Sequence, residues 1–471
     1  MLTITRPSTG TKTATGHLPR RVLLQAGLFA PLGMASFGMA PATARASTNE
    51  ENSSPSFGRA KRCIFIFLNG GPSQLDTWDM KPHAPANIRG ELQPIPTKVP
   101  GIDACELLPR MAMLTDRFKI VRSVTHTASV HTTGVYTMLT GTYHRTPKVD
   151  QTVSLPEDHP HLGSVVSHHH GWTAGSPPFI TLPTLFRAPP VEGVWPGQTA
   201  GFLGRRFDPF VIEGEKQTAK FRFTDVETPP ELSAARLTGR RDLLTHLTVP
   251  SQKETAAVRT WNEIGQQAWS LLESRNLRRI GDLESEPVAV RDRYGRHLFG
   301  QGLLLARKLS ESGIPFVTVY WIDPTPAGAG GGEYDSHGFI YKHMRERLLP
   351  PTDMALSALF EDLRDRGLDE ETLVVVLSEF GRTPMINKDA GRDHWAEAQS
   401  ILMAGAGITG GVVHGATDQH AAYPSSDPVT PPDLGQSILH LLGVPSHLEL
   451  RDPQGRPFLA SQGRVDQKLI G

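Results

Sequence analysis

Short apolar runs punctuate a chain that is otherwise rich in turn-forming residues. Cys63 to Leu68 (CIFIFL), Phe118 to Val124 (FKIVRSV), Phe316 to Trp321 (FVTVYW) and Leu373 to Leu377 (LVVVL) are brief and dominated by β-branched or aromatic residues. Such runs are expected of strands buried in a mostly parallel sheet. Ser400 to Met403 makes a shorter one, followed by a turn and return over 405–413. Between these runs the spacing becomes helical, at Val135–Gly141, Gly300–Ser310, Asp353–Arg366 and Asp433–Leu442. Residues 230–312 as a whole carry helix-like patterning, for example Trp261, Ile264, Ala268, Leu271 and Leu272. The helix between the runs at 316 and 373 completes a βαβ unit. Residues 176–229, rich in Pro, Gly and Phe, show no periodicity and are expected to be a loop excursion over one end of the sheet. The run His168-His169-His170 has loop-like neighbours and is expected to be a surface feature.

Composition narrows the picture. The 471 residues carry 48 Lys plus Arg against 48 Asp plus Glu, a balance that argues against a nucleic-acid binder or a polybasic membrane-surface protein. High glycine (45) and proline (39) point to long ordered loops rather than a helical bundle. Pro19-Arg20-Arg21-Val22-Leu23-Leu24-Gln25 precedes a mildly apolar run, Ala26 to Ala40, and Ala44-Arg45-Ala46 fits a small-x-small cleavage site. Residues 1–46 are therefore expected to be a twin-arginine export signal, giving a periplasmic or extracellular protein. The apolar run is too short and too rich in glycine for an integral membrane span. Residues 47–60 read as a flexible lead-in, and 61–471 as one α/β domain with an insertion at about 176–312. Cys63 and Cys105 leave two readings open, a disulfide or a buried free thiol at Cys63.

Each strand-like run ends in polar groups. Asn69, Asp76 and Asp79 follow the first; His126, His131, Thr132 and Thr133 the second; Asp335 and His337 the third; Glu379, Asp393 and His394 the fourth. In open α/β sheets, ligands bind outside the carboxyl ends of the strands. Carboxylates and imidazoles together are donors for zinc, manganese, magnesium or calcium. The hydroxyl-rich loop before residue 134 feeds a helix N-terminus, a natural anion site.

The order of strand and Gly-rich turn, strand and helix ending Leu-Thr-Gly, Asp-x-His loop, and strand followed by Ser-acid-x-Gly resembles the alkaline phosphatase and sulfatase superfamily. More narrowly, GGPSQLDTWDMKP, HTTGVYTMLTG, RYGRHLFGQGLLLARKL, SEFGRTP and GRDHW resemble the bacterial family called domain of unknown function 1501. The resemblance implies an α/β, alkaline-phosphatase/sulfatase-like fold, a mostly parallel sheet flanked by helices. It also implies a divalent metal (zinc, calcium, magnesium or manganese) that holds a phosphate or sulfate ester while a side chain at a helix N-terminus attacks. On that basis Asp76, Asp335, His337, Glu379 and His394 hold the metal, His131 with Thr132 sits at the attacking position, and Arg382 and Arg392 clamp the anion. The sequence departs from the superfamily pattern in three places. His131 stands where sulfatases carry their nucleophile, which leaves Thr132 or Thr133 as alternatives. Asn69 falls near the first-strand aspartate, and Glu379-Phe380 replaces an Asp-His pair. His343 competes with His337. The expected function is an exported, metal-dependent hydrolase of small-molecule or polysaccharide phosphate or sulfate esters. The alternative is a non-catalytic protein on the same fold that binds an anionic glycan or a cell-surface partner.

Overall fold

Alternation along β1 (Arg62–Phe67) divides the interior in two: Ile64 and Ile66 join one apolar cluster, Cys63, Phe65 and Phe67 the other. A strand that is apolar on both faces needs a helical layer on each side. The computed structural model describes residues 54–173, 175–187, 193–223, 234–247, 256–273, 275–322 and 333–471. The expected export signal at 1–46, the first part of the lead-in and the glycine-rich stretch 327–332 lie outside the described residues.

After β1 come β2 (Phe118–Val124), α1 (His131–Thr140), α2 (Leu162–His170), β3 (Phe179–Leu182), β4 (Phe210–Val211) and a hairpin of β5 (Glu213–Glu215) and β6 (Lys220–Arg222). The expected helical insertion follows, with helices Ala234–Leu247, Ala256–Glu273, Arg275–Gly281 and Val288–Tyr294. The chain then forms α3 (Leu298–Glu311), β7 (Phe316–Tyr320), α4 (Leu349–Asp365), β8 (Thr372–Leu377), the short pair β9 (Gly381–Arg382) and β10 (His394–Trp395), β11 (Gln399–Ala404), β12 (Val412–His414) and α5 (Pro431–Leu441). Eight strands make the central sheet in the order β12-β2-β11-β8-β1-β7-β3-β4. Strands β8, β1, β7, β3 and β4 are parallel, and β11 runs antiparallel to both β8 and β2. The unit β7, α4, β8 is present as expected, with β1 lying between its two strands. Helices α3 and α4 cover one face, and α1, α2 and α5 the other.

The structure corrects three expectations. Helix α1 begins at His131, four residues before the apolar pattern does, because tertiary packing overrides weak helix formers: a Cβ on Gly134 would stand 3.1 Å from Glu379 Cβ and 3.2 Å from a Phe380 ring carbon. His168, His169 and His170 form the last turn of α2 rather than a loop, because Leu162, Val165 and Val166 give that helix a buried stripe. Residues 176–229 do not only cross over the sheet but supply two of its strands, β3 and β4. Of the two readings left open for the cysteines, the free thiol is the one found: Cys63 and Cys105 are both buried and free, and burial pushes their thiols up, that of Cys105 to about 12. No described helix is long and apolar enough to cross a membrane.

Candidate metal centre

Strands β1 and β8 pair in parallel with Phe67 opposite Leu377, so the segments that follow them leave the sheet side by side. Gly70 (φ 95°) and Gly71 (φ 73°) turn the first segment through left-handed backbone, and a Cβ on Gly70 would come within 2.4 Å of the Asp335 nitrogen. Only glycine allows that approach. The Gly70 N–H donates to Glu379 Oε1 (2.9 Å), and Ser378 Oγ, which accepts from the Gly71 N–H (3.1 Å), lies 2.6 Å from Oε2. Glu379 is thus fixed in the interior, at 1% exposure. His126 is buried behind it; its Nδ1 accepts the Ala128 N–H (3.1 Å), so its Nε2 donates to the Glu379 carbonyl (2.7 Å).

Three imidazoles turn toward Asp335. His131, the first residue of α1, places Nδ1 2.7 Å from Glu379 Oε1 and Nε2 3.2 Å from Asp335 Oδ2. That Nε2 is buried and lacks a well-directed hydrogen bond. His394 directs Nδ1 at the Ser129 carbonyl (3.0 Å), which can only accept, and Nε2 at Asp335 Oδ1 (3.2 Å). His337 places Nδ1 2.8 Å from Asp393 Oδ1, with Nε2 3.1 Å from Asp335 Oδ1 and 3.0 Å from His394 Nε2. Each ring therefore has an oxygen acceptor at Nδ1, which leaves the Nε2 lone pair facing inward, the outer-shell pattern of metal-bound histidine. His131, Asp335 and His394 each offer one donor atom, all within 4.8 Å of one another. Donors around a tetrahedral zinc with bonds of about 2.0–2.1 Å stand about 3.3 Å apart. The residues present fit a divalent ion.

The electrostatics agree. Burial alone would lower the basicity of His131, but its contacts with Asp335 and Glu379 raise it to about 9. Burial opposes ionisation of Asp335, yet His131, His394 and Arg382 hold its carboxyl far below the usual range. Glu379 is also held low, by His131 and Ser378 against its burial. Burial lowers His394, with Asp335 offsetting part of the effect. The buried carboxylate of Glu379 and the half-buried one of Asp335 thus draw positive charge to the point where the Nε2 atoms converge, the position a cation would take. Phe380 forms the apolar wall, its ring centroid 5.0 Å from that of His131 and 4.5 Å from that of His394.

Of the expected site residues, His131, Asp335, His337, Glu379 and His394 come together, with Glu379 behind His131 rather than among the converging donors. The rest are corrected. Asp76, expected as a ligand, is fully buried, and Arg392 grips both its oxygens (Nε to Oδ2 2.7 Å, Nη2 to Oδ1 3.2 Å) while Ser73 donates to it. Arg392 also donates to the Ile88 and Thr383 carbonyls, and Arg382 to those of Gly71 and Arg392 and to Asp335 Oδ1 (2.7 Å). Both guanidinium groups are fully buried with their donors engaged, so neither can clamp a substrate anion. The Thr132 hydroxyl donates to Asp150 and that of Thr133 to the Pro147 carbonyl, which takes both away from an attacking role. His343 turns its Nδ1 to Ser336 Oγ (3.5 Å) instead of joining the group. Ser378 and the Ser129 carbonyl were not legible as site residues; for Ser378 the available signal was its place beside Glu379 at a strand end.

The family model described as "Protein of unknown function (DUF1501)" matches residues 60–470. Similar solved structures include a Bacteroides thetaiotaomicron protein from a locus for the metabolism of multiple glycosaminoglycans (14% identity, covering 87% of this chain and 76% of that one, TM-score 0.41). Others are the PsFucS1 sulfatase from Pseudoalteromonas sp. (13%, 91% and 75%, 0.39) and a phosphonate monoester hydrolase from Silicibacter pomeroyi (14%, 87% and 76%, 0.37). No curated protein sequence matches the chain.

Asp76→Asn separates the two roles considered for that residue. Leaving Arg392 buried without its counter-charge should cost about 3–5 kcal/mol in denaturant unfolding, with metal content unchanged. Loss of metal at unaltered stability would return Asp76 to the ligand set.

Proposed function

The chain belongs to the DUF1501 family, and from that premise we propose that it is a divalent-metal-dependent hydrolase of phosphate or sulfate esters in which water attacks directly. The observation that carries this reading is the pair His131 and His394, each with Nδ1 on an oxygen acceptor and Nε2 on a different oxygen of Asp335. A divalent ion held by His131, Asp335 and His394 supplies Lewis acidity. Glu379 orients His131 and keeps its proton on Nδ1. Arg382 fixes the rotation of Asp335 through Oδ1. His337 is 43% exposed and its partner Asp393 56%, so the site opens to solvent on their side. There the Asp393–His337 pair accepts a proton at Nε2 and returns it to the leaving group. Commitment of the Thr132 and Thr133 hydroxyls favours direct attack by water over a covalent intermediate.

A second reading has its own support. His337 Nε2 lies as close to His394 Nε2 and Asp335 as the other donors lie to each other. As a fourth ligand it would close the coordination shell, as structural zinc sites are closed. The protein would then bind an anionic glycan or a cell-surface partner without turnover.

Protein purified without chelators should carry about one divalent ion per chain and should hydrolyse p-nitrophenyl phosphate or sulfate. His394→Ala should lose both properties. His337→Ala should keep the ion and lose about 100-fold in kcat. Absence of metal, with turnover no greater than that of His131→Ala, would remove the hydrolase reading. Loss of metal from His337→Ala as complete as from His394→Ala would favour the closed site and the binding protein.

Export by the twin-arginine route belongs to the same proposal, since that route carries proteins already folded, often with a metal or cofactor installed. Replacing Arg20 and Arg21 by lysine should retain the full-length precursor in the cytoplasm. Undiminished export of the double variant would remove this part.

A further inference from the structure

No step of the proposed reaction uses the imidazole of His126, yet three segments of the site meet on that residue. Its main-chain N–H donates to the carbonyl of Ala396 (3.0 Å), the first residue past β10, the strand that carries His394. Its ring Nε2 donates to the Glu379 carbonyl (2.7 Å), and its ring Nδ1 accepts the Ala128 N–H (3.1 Å). The residue is 4% exposed, and both ring nitrogens are committed, so the imidazole is held in one orientation and one tautomer.

These contacts lead to the converging imidazoles. Glu379, held at its carbonyl, places Oε1 2.7 Å from His131 Nδ1. The turn closed by the Ala128 N–H delivers, in the next residue, the Ser129 carbonyl that His394 Nδ1 meets at 3.0 Å. After it comes the Val130 carbonyl, which accepts the Gly134 N–H (2.8 Å) and opens α1 at His131. The bond to Ala396 fixes the chain two residues beyond His394. His126 thus bears on the anchors of both imidazoles, whose rings stand edge to face with centroids 4.3 Å apart. Groups that orient metal-binding imidazoles from behind govern affinity for the ion, because they fix the spacing of the donor atoms before it arrives. A buried carbonyl or amide that loses its partner shifts to find another, and the ligand attached to it shifts as well.

We propose that His126 is the positioning residue of the metal centre: through the Glu379 carbonyl and the Ala128 amide it sets the spacing of the His131 and His394 Nε2 atoms, and with it the affinity for the ion. This rests on the reading of His131, Asp335 and His394 as the ligands, and not on turnover of an ester.

The experiment compares the full-length protein with His126→Phe, His126→Asn and His126→Gln. Phenylalanine keeps a ring of similar size and loses both hydrogen bonds. Asparagine ends where Nδ1 lies and can accept from Ala128; glutamine ends where Nε2 lies and can donate to Glu379. Zinc affinity is read by competition with a chelator, and ligand geometry by the visible absorption of the cobalt-loaded protein. His126→Phe should bind zinc about 10–100-fold more weakly and shift the cobalt bands, with asparagine and glutamine each recovering part of both. Affinity and bands unchanged in all three variants, or altered equally whichever bond is kept, overturn the role. Should His126→Phe fail to fold, weaker zinc binding with shifted bands in the other two supports it, and parity with the unaltered protein overturns it. If the unaltered protein binds neither zinc nor cobalt, the ligand reading fails separately, and the ring nitrogen resonances of His131 and His394 decide the positioning. Movement of both in the folded variants supports it, and unmoved resonances overturn it.

Discussion

A buried carboxylate sets the terms for this site. Glu379 sits at 1% exposure two residues past a strand with no polar side chain but its first, and an ionised group there is tolerable only if each oxygen finds a partner. The Gly70 amide, Ser378 and His131 are those partners. Each requirement passes further down the chain. The Gly70 amide can reach Glu379 only because Gly70 and Gly71 adopt left-handed backbone, and that turn brings the Asp335 backbone against Gly70. His131 can reach it only because Gly134 lets α1 lie against Glu379 and Phe380. The imidazole so held has its second nitrogen left for Asp335, and the rest of the group assembles around that carboxylate.

The two arginines show how burial changes the meaning of a charge. Guanidinium forks near a carboxylate-rich crevice suit oxyanion recognition, and by sequence they are the natural clamps. In the fold each is closed in by main-chain carbonyls and a single aspartate, Asp335 for Arg382 and Asp76 for Arg392. They tie the loop 382–393 to the segments after β1 and before α4, holding His394 and Asp393 in place. Neither guanidinium is left to meet an anion in the crevice.

Much of this was legible in the chain. The strands at 62–67, 118–124, 316–320 and 372–377 announce themselves because strands buried on both faces are nearly continuous in apolar residues, and the acids and imidazoles just beyond them gave five of the residues that meet. What stayed hidden depends on long-range packing. A helix start is legible near residue 134, but nothing in HTTG sets it at His131 rather than Val135, since threonine and glycine are weak helix formers and the packing of Gly134 on Glu379 is a contact 245 residues away in sequence. Phe179 to Leu182 is a four-residue run between prolines, too short to stand out as a sheet strand. Asp76 and Arg392 are charged residues without a local hint that they neutralise each other in the interior.

In the function proposed above, His131, His394 and Asp335 hold a divalent cation with one side of it open to solvent. X-ray absorption at the zinc edge of the full-length, zinc-loaded protein tests it most directly. One ion should be bound by two imidazole nitrogens and a carboxylate oxygen at about 2.0–2.2 Å, with a further light ligand from solvent that is exchanged on adding phosphate. A spectrum unaltered by His394→Ala, or a shell saturated by protein ligands and indifferent to phosphate, would contradict it.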